Sequence, residues 1–245
     1  MASTPIEEPL SSEPPLTVEP AVYVYEAPVR IWHWINALAV TVLFVTGYLI
    51  GSPPFTLMGE ASSHYFFGWV RFLHFASGQI MAVGFVLRFY WSFVGNHHAR
   101  EIFRPPFWHI GFWKGVLHEM RWYAMIEEHP RKYVGHNPLA MVSMHVLFVW
   151  VGLFMIVTGF ALYGEGEGPG WIHTVFTGPV LWLFGGNSQT VHTWHHLAMW
   201  AMVIFVIVHI YAAVREDIMS RQSIISSMIS GWRNFRDAKP IDRDT

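Results

Sequence analysis

The sequence predicts an all-α membrane protein, a bundle of four transmembrane helices. Three observations carry that expectation. The 245 residues are 53% hydrophobic and only 13% charged, about half the charge of an ordinary soluble domain. Four continuous apolar runs are each near the roughly 20 residues a helix needs to cross a bilayer. Histidines stand toward both ends of the fourth run, where an imidazole is costly unless something binds it.

Residues 1–22 (MASTPIEEPLSSEPPLTVEPAV) are rich in Pro, Ser, Thr and Glu and read as a disordered tail. They lack the basic segment before an apolar stretch that marks a cleavable signal. The first apolar run, 31–51, stops at Ser52-Pro53-Pro54, and the second, 72–94, stops at Gly95-Asn96. The third, 139–163, follows Asn137-Pro138, and the fourth is 191–214. None alternates polar and apolar residues, so helices rather than barrel strands are implied. The expected unit is a four-helix domain over 23–232 with a C-terminal tail at 233–245, and no internal repeat is evident.

Lys and Arg orient the bundle. Arg30 precedes the first run; Arg100, Arg104, Lys114, Arg121, Arg131 and Lys132 lie between the second and third; Arg215, Arg221, Arg233, Arg236, Lys239 and Arg243 follow the fourth. The loop at 52–70 has none of these residues, and 164–190 has only Glu165 and Glu167 as charges. Both termini and the middle loop are therefore expected in the cytoplasm. Within the middle loop, 108–127 reads as an amphipathic interfacial helix. The apolar stretch 171–186 (WIHTVFTGPVLWLFGG) is expected to be a partner contact or a short interfacial helix.

The chain has no cysteine. Disulfides, iron–sulfur clusters, thiolate zinc sites and covalent haem attachment of the Cys-x-x-Cys-His type are excluded, so metal chemistry falls to the 15 histidines. A net charge of −2 argues against nucleic acid. His195 and His209 are fourteen residues apart, nearly four helical turns, so their rings share a face about 21 Å apart along the axis. With alternating helix directions, His33 meets His209 at the cytoplasmic depth and His74 meets His195 at the outer depth. Two separated bis-histidine sites in an apolar bundle suit haem b: two haems are expected, one being the lesser possibility. Gly47, Gly78 and Gly84 would let a flat macrocycle approach backbone. His192 and His196 leave the outer ligand open, and His145, inside the third run, is a rival to His33. His97, His98, His109, His118 and His129 read as surface residues. Zinc or copper would want histidines clustered in one small volume.

Several segments resemble a known family: YVYEAPVRIWHW (23–34), RFLHFASG (71–78), RFYWSFVGN (88–96), GHNPL (135–139), FGGNSQTVHTWHHLAMW (184–200) and HIYAAVREDIMS (209–220). Over about 22–232 the chain is similar to the b-type cytochrome subunit of membrane-bound nickel–iron hydrogenases, relatives of the cytochrome subunit of respiratory formate dehydrogenase. The resemblance implies a multi-pass anchor in the bacterial inner membrane. It implies hydrogenase large and small subunits on the periplasmic face, with electrons passing from small-subunit iron–sulfur clusters to the His74/His195 haem. From there they would reach the His33/His209 haem and then quinone. Gly185–Ser188 and 164–170 would face the small subunit, and His136 and Asn137 would lie in the quinone region. Arg215 would neutralise a haem propionate or serve as a positive-inside anchor. No hydrogen chemistry is expected in this chain. A haem-poor docking anchor and the cytochrome subunit of a related dehydrogenase are the alternatives. A transporter is disfavoured because the four runs contain no Asp or Glu.

Overall fold

The computed structural model describes residues 20–54, 65–236 and 240–241. Most of the expected N-terminal tail, the centre of the 52–70 loop and most of the C-terminal tail lie outside the described residues. Helix α1 (Ala27–Gly51) starts with proline in its first turn, where the missing N–H costs no hydrogen bond, and ends before Pro53 and Pro54. Helix α2 (Phe66–Val94) packs along α1. A one-turn α3 (His97–Arg100) is capped by the Asn96 side chain, which accepts from Ala99 N at 3.1 Å. Helix α4 is Ile110–Tyr123. Helix α5 (Pro138–Ser143), a π-helical stretch at Met144–Trp150 and α6 (Val151–Glu167) form one continuous element. A π-helical turn at His173–Thr177 and α7 (Gly178–Leu183) lead to α8 (Ser188–Met219), and α9 (Ile224–Ser230) follows.

Four of these helices are long and apolar enough to cross a membrane: Ala27–Gly51, Phe66–Val94, Pro138–Glu167 and Ser188–Met219. Each outruns its apolar stretch in the sequence, because a helix satisfies its own backbone and can continue into the headgroup zone. Their outward faces are apolar, with Leu38, Val83, Val86, Leu87, Ile204 and Ile207 all exposed, as contact with lipid requires. Inside, Phe148, Val149, Met202 and Phe205 form one buried cluster between the third and fourth spans.

The segments just before α1 and just after α9 meet at one end of the bundle. Strand β1 (Val22–Tyr23) pairs antiparallel with β2 (Trp232–Arg233), Val22 opposite Arg233. Arg233 is 3% exposed; it donates to the Val134 and Gly135 carbonyls at 3.0 and 2.7 Å and to Gln222 Oε1 at 2.6 Å. The segment at 232–236 is therefore part of the fold, with Phe235 fully buried. Glu26 accepts from Trp91 Nε1 and Asn96 N, which fastens the start of α1 to the end of α2. Glu101 accepts from His98 Nδ1 at 2.8 Å, His136 Nδ1 at 2.6 Å and His136 N at 2.8 Å. Burial opposes its charge, but the hydrogen bonds from His136 and His98 outweigh it and hold the carboxyl well below the usual carboxylate range. Burial also pushes the neighbouring Tyr25 hydroxyl up to about 12.

Helix α4 covers the core of 108–127. It buries Phe112, Val116, Glu119 and Trp122 at helical spacing and exposes Ile110, Trp113, Leu117 and Met120, the pattern of a helix lying at an interface. Arg215 ties it to the end of α8: its Nη2 donates to Trp122 O at 2.8 Å and its guanidinium covers the Trp122 and Tyr123 rings. The stretch 171–186 is a short helical cap. Thr177 donates to Ala161 O at 2.8 Å and Val180 packs with Ala161 and Val191, while Trp171, Trp182 and Leu183 face outward.

Replacing Glu101 by Gln is expected to destabilise the polar end by about 1–3 kcal/mol, since the buried His98 and half-buried His136 imidazoles lose their anionic acceptor. A depressed carboxyl contributes fully above its unfolded pKa and loses that contribution as pH falls. The stability gap between parent and variant, read from thermal unfolding in detergent, should be constant above about pH 5 and narrow below about pH 4. A gap independent of pH down to strongly acidic conditions would contradict the assignment.

Candidate functional site

Two histidine pairs lie at separate depths of the bundle. At the end where β1 pairs with β2, α1 supplies His33 and α8 supplies His209, with ring centroids 6.3 Å apart. Two imidazoles sharing one metal ion need about 2 Å for each metal–nitrogen bond and roughly 1 Å more to each ring centre, so about 6 Å between centroids fits one iron. His33 Nδ1 is buried without a hydrogen-bond partner. Near this pair, Arg88 of α2 is 3% exposed, with Nε and Nη1 unpartnered. Its Cζ lies 5.5 Å from the Trp32 ring centre and 5.4 Å from that of Phe103. The Trp32 indole N–H is also buried and unpartnered. Sequence reasoning gave Arg88 no role. The available signal was a cation inside the second apolar run, which in a membrane marks function by default.

At the far end, α2 supplies His74 and α8 supplies His195. Both line a cavity of about 840 Å³ that Gly47, Gly78, Met81, Gly159, Met199 and His196 also border. That volume lies within the range of cofactor pockets. Glycine lets both rings lie against backbone: a Cβ at Gly47 would stand 3.2 Å from His74 Cε1, and one at Gly159 would stand 3.4 Å from His195 Cε1. Gly78 opens onto the cavity, whereas Gly84 backs Trp32. His74 Nδ1 is 2.9 Å from Thr46 Oγ1 and His195 Nδ1 is 2.8 Å from Thr158 Oγ1.

The other histidines separate by their partners. His145 is engaged at both nitrogens: Nδ1 lies 2.9 Å from Ile102 O, and Nε2 accepts from Trp150 Nε1 at 3.0 Å. It holds the π-helical turn and offers no free lone pair. His192 is exposed and turns back on its own helix toward Ser188 O at 3.1 Å. His196 borders the cavity, lies against Gly51 and stacks on Trp200, and its Nε2 is buried without a hydrogen-bond partner, so it stays an alternative to His195. Of the loop histidines, His109 and His129 are exposed and His97 and His118 are half-buried, whereas His98 is 4% exposed and bound to Glu101. Groups of three or more candidate metal ligands do not occur among the described residues.

His136 lines a second cavity of about 740 Å³ with His98, Glu101, Arg104 and His109. Asn137 caps α5, its Oδ1 accepting from Ala140 N at 2.7 Å. Arg215 lies against α4, as described above, and its Nε and Nη1 are buried without a hydrogen-bond partner.

Residues 24–231 match the family model described as prokaryotic cytochrome b561. The chain is 62% identical over 221 residues to a Bradyrhizobium diazoefficiens protein, covering 89% of this chain and 88% of that one. It is 57% identical over 221 residues to an Azotobacter vinelandii protein (90% and 91% covered). It is 45% identical over 224 residues to one from Escherichia coli K12 (91% and 94%). The first two bear the name "Probable Ni/Fe-hydrogenase B-type cytochrome subunit", and the third is the same with hydrogenase 1 specified. The chain belongs to the prokaryotic cytochrome b561 family and is a multi-pass membrane protein.

Proposed function

We propose that this member of the prokaryotic cytochrome b561 family is the membrane-embedded dihaem b subunit of a nickel–iron hydrogenase, carrying electrons from the hydrogenase to quinone. The observation that carries this reading is the placing of two histidine pairs at separate depths of one apolar bundle. His74 and His195 would hold one haem b and His33 and His209 the other. Bound there, haem b supplies reversible one-electron transfer.

The chain's own residues set the conditions for that transfer. The helices hold the imidazoles at fixed depths, and the apolar walls exclude water, which raises the influence of nearby charges. Arg88 would face a haem carboxylate at the His33/His209 end, which gives its unpartnered nitrogens a use. Electrons would enter at the His74/His195 end, beside the α7 cap, and leave at the end where β1 pairs with β2. There the cavity bordered by His136 and Glu101 would serve quinone and its protons, with Asn137 fixing the helix start beside it. The lysine and arginine distribution supports a cytoplasmic position for this end and a periplasmic one for the hydrogenase, in the inner membrane of a bacterium. The functional unit would be 23–232.

A pyridine-haemochrome assay on the purified full chain should find two haems b. His74→Ala should remove one and His209→Ala the other, whereas His145→Ala should leave both. A folded parent with no Soret band would leave only a docking anchor. Arg88→Gln should lower the potential of the haem lost in His209→Ala, because removing a cation favours the ferric state. The shift should be on the order of 1 kcal/mol, the scale of a unit charge acting across roughly 15 Å at an effective dielectric of about 20. An unchanged potential for that haem would exclude Arg88 as its counter-charge.

A further inference from the structure

The bonds to Thr46 and Thr158 repeat one another in detail. Thr46 donates its hydroxyl to Val42 O at 2.6 Å, and Thr158 donates to Phe154 O at 2.7 Å, each one turn back along its own helix. A carbonyl oxygen has no proton, so the proton in each of these short contacts is the hydroxyl's own, and a hydroxyl has only one. Toward the histidine, each threonine oxygen can therefore only accept. His74 Nδ1 at 2.9 Å and His195 Nδ1 at 2.8 Å must be the donors. Their protons are on Nδ1, and each ring keeps the lone pair of Nε2 for a ligand, the relation by which one ring nitrogen decides the role of the other.

The environment leaves the threonines no competing role. Thr46 is 5% exposed and Thr158 is 1% exposed, so water does not replace either bond. Each threonine is followed by the glycine that backs the same ring, Gly47 for His74 and Gly159 for His195. The two cradles read Val45-Thr46-Gly47-Tyr48 on α1 and Val157-Thr158-Gly159-Phe160 on α6. Each is thus a two-residue device: the hydroxyl takes the N–H and the missing side chain admits the ring. The two face the one cavity from different helices. His33 has no such partner, its Nδ1 being buried and unpaired.

We propose that Thr46 and Thr158 are the positioning residues of the haem site at the His74/His195 end. They fix the tautomer and orientation of both axial imidazoles and strengthen them as donors. This rests on the function proposed above. A hydrogen-bonded Nδ1–H gives the imidazole more anionic character, which favours ferric over ferrous iron, and supporting bonds of this kind commonly contribute 10–100-fold to metal affinity. The potential of this haem should therefore be held low by the two hydroxyls.

The test uses the full-length, haem-loaded chain in detergent, with Thr46→Val, Thr158→Val and the corresponding serine variants. Haem-to-protein ratio, potentiometric titration and ferric EPR are read together, and the haem concerned is the one lost in His74→Ala. Each valine variant should raise that haem's potential, by 59 mV for a tenfold loss of ferric preference, change its low-spin EPR signal and leave the other haem unmoved. Loss of that haem in the valine variants with retention in the serine variants would support the proposal equally. The serine variants, which keep the hydroxyl, should restore the parent values. Unchanged potential and EPR in both valine variants at full haem content would overturn it, as would equal haem loss in the valine and serine variants. A parent chain without haem at this end would overturn the function reading itself, a failure recognisable before any threonine is changed.

Discussion

An imidazole placed within an apolar bundle needs partners for both nitrogens, and the rest of this structure depends on that requirement. Lipid offers no hydrogen bonds, so a buried polar atom must find its partner within the protein or on a bound group. His145 meets the requirement internally, with a carbonyl on one side and an indole on the other. His74 and His195 meet half of it through threonine and turn the other half to a cavity. His33 and His209 face each other at a distance that leaves room for one ion. His145, with both nitrogens engaged, is thus set apart from His74 and His195, each with one nitrogen engaged.

The polar end of the bundle supplies the rigidity that such placement needs. Arg233, Glu26, Glu101 and the Arg215–Trp122 contact draw the segments around β1 and β2, the connecting loops and helix α4 into one hydrogen-bonded platform. That platform fixes the starts of α1 and α5 and the end of α8, and so the depths of His33 and His209. Its charges are buried in pairs or against backbone oxygens, which is the condition for burying them at all. Arg88 and Arg215 depart from this pattern in part, each with Nε and Nη1 lacking a hydrogen-bond partner, and Arg88 lies over Trp32, the residue before His33.

Much of this was legible in the sequence because membranes simplify the reading. Run length gave the four spans, and the fourteen-residue interval from His195 to His209 gave a shared face. The positions of His33 and His74 in oppositely directed helices then followed from topology. What was not legible depended on side chains meeting across helices. The π-helical turn that absorbs His145 leaves no mark in hydropathy, and the partner of Arg215 is a helix 93 residues away in sequence. The Val-Thr-Gly cradles are too short to register as a repeat. They become equivalent only when both are found against a histidine of the same cavity. The C-terminal segment looked like a tail because a two-residue strand pair has no sequence signature of its own.

The central claim is that each histidine pair ligates one iron through two imidazoles. The competing arrangement is also on view, since Met81 and Met199 border the same cavity as His74 and His195, and a thioether would serve iron as a sixth ligand. Near-infrared magnetic circular dichroism of the ferric full-length chain distinguishes the two directly. The account predicts charge-transfer bands of bis-imidazole haem alone, at an intensity of two haems per chain. A histidine–methionine band, or bis-imidazole intensity for a single haem, would contradict it.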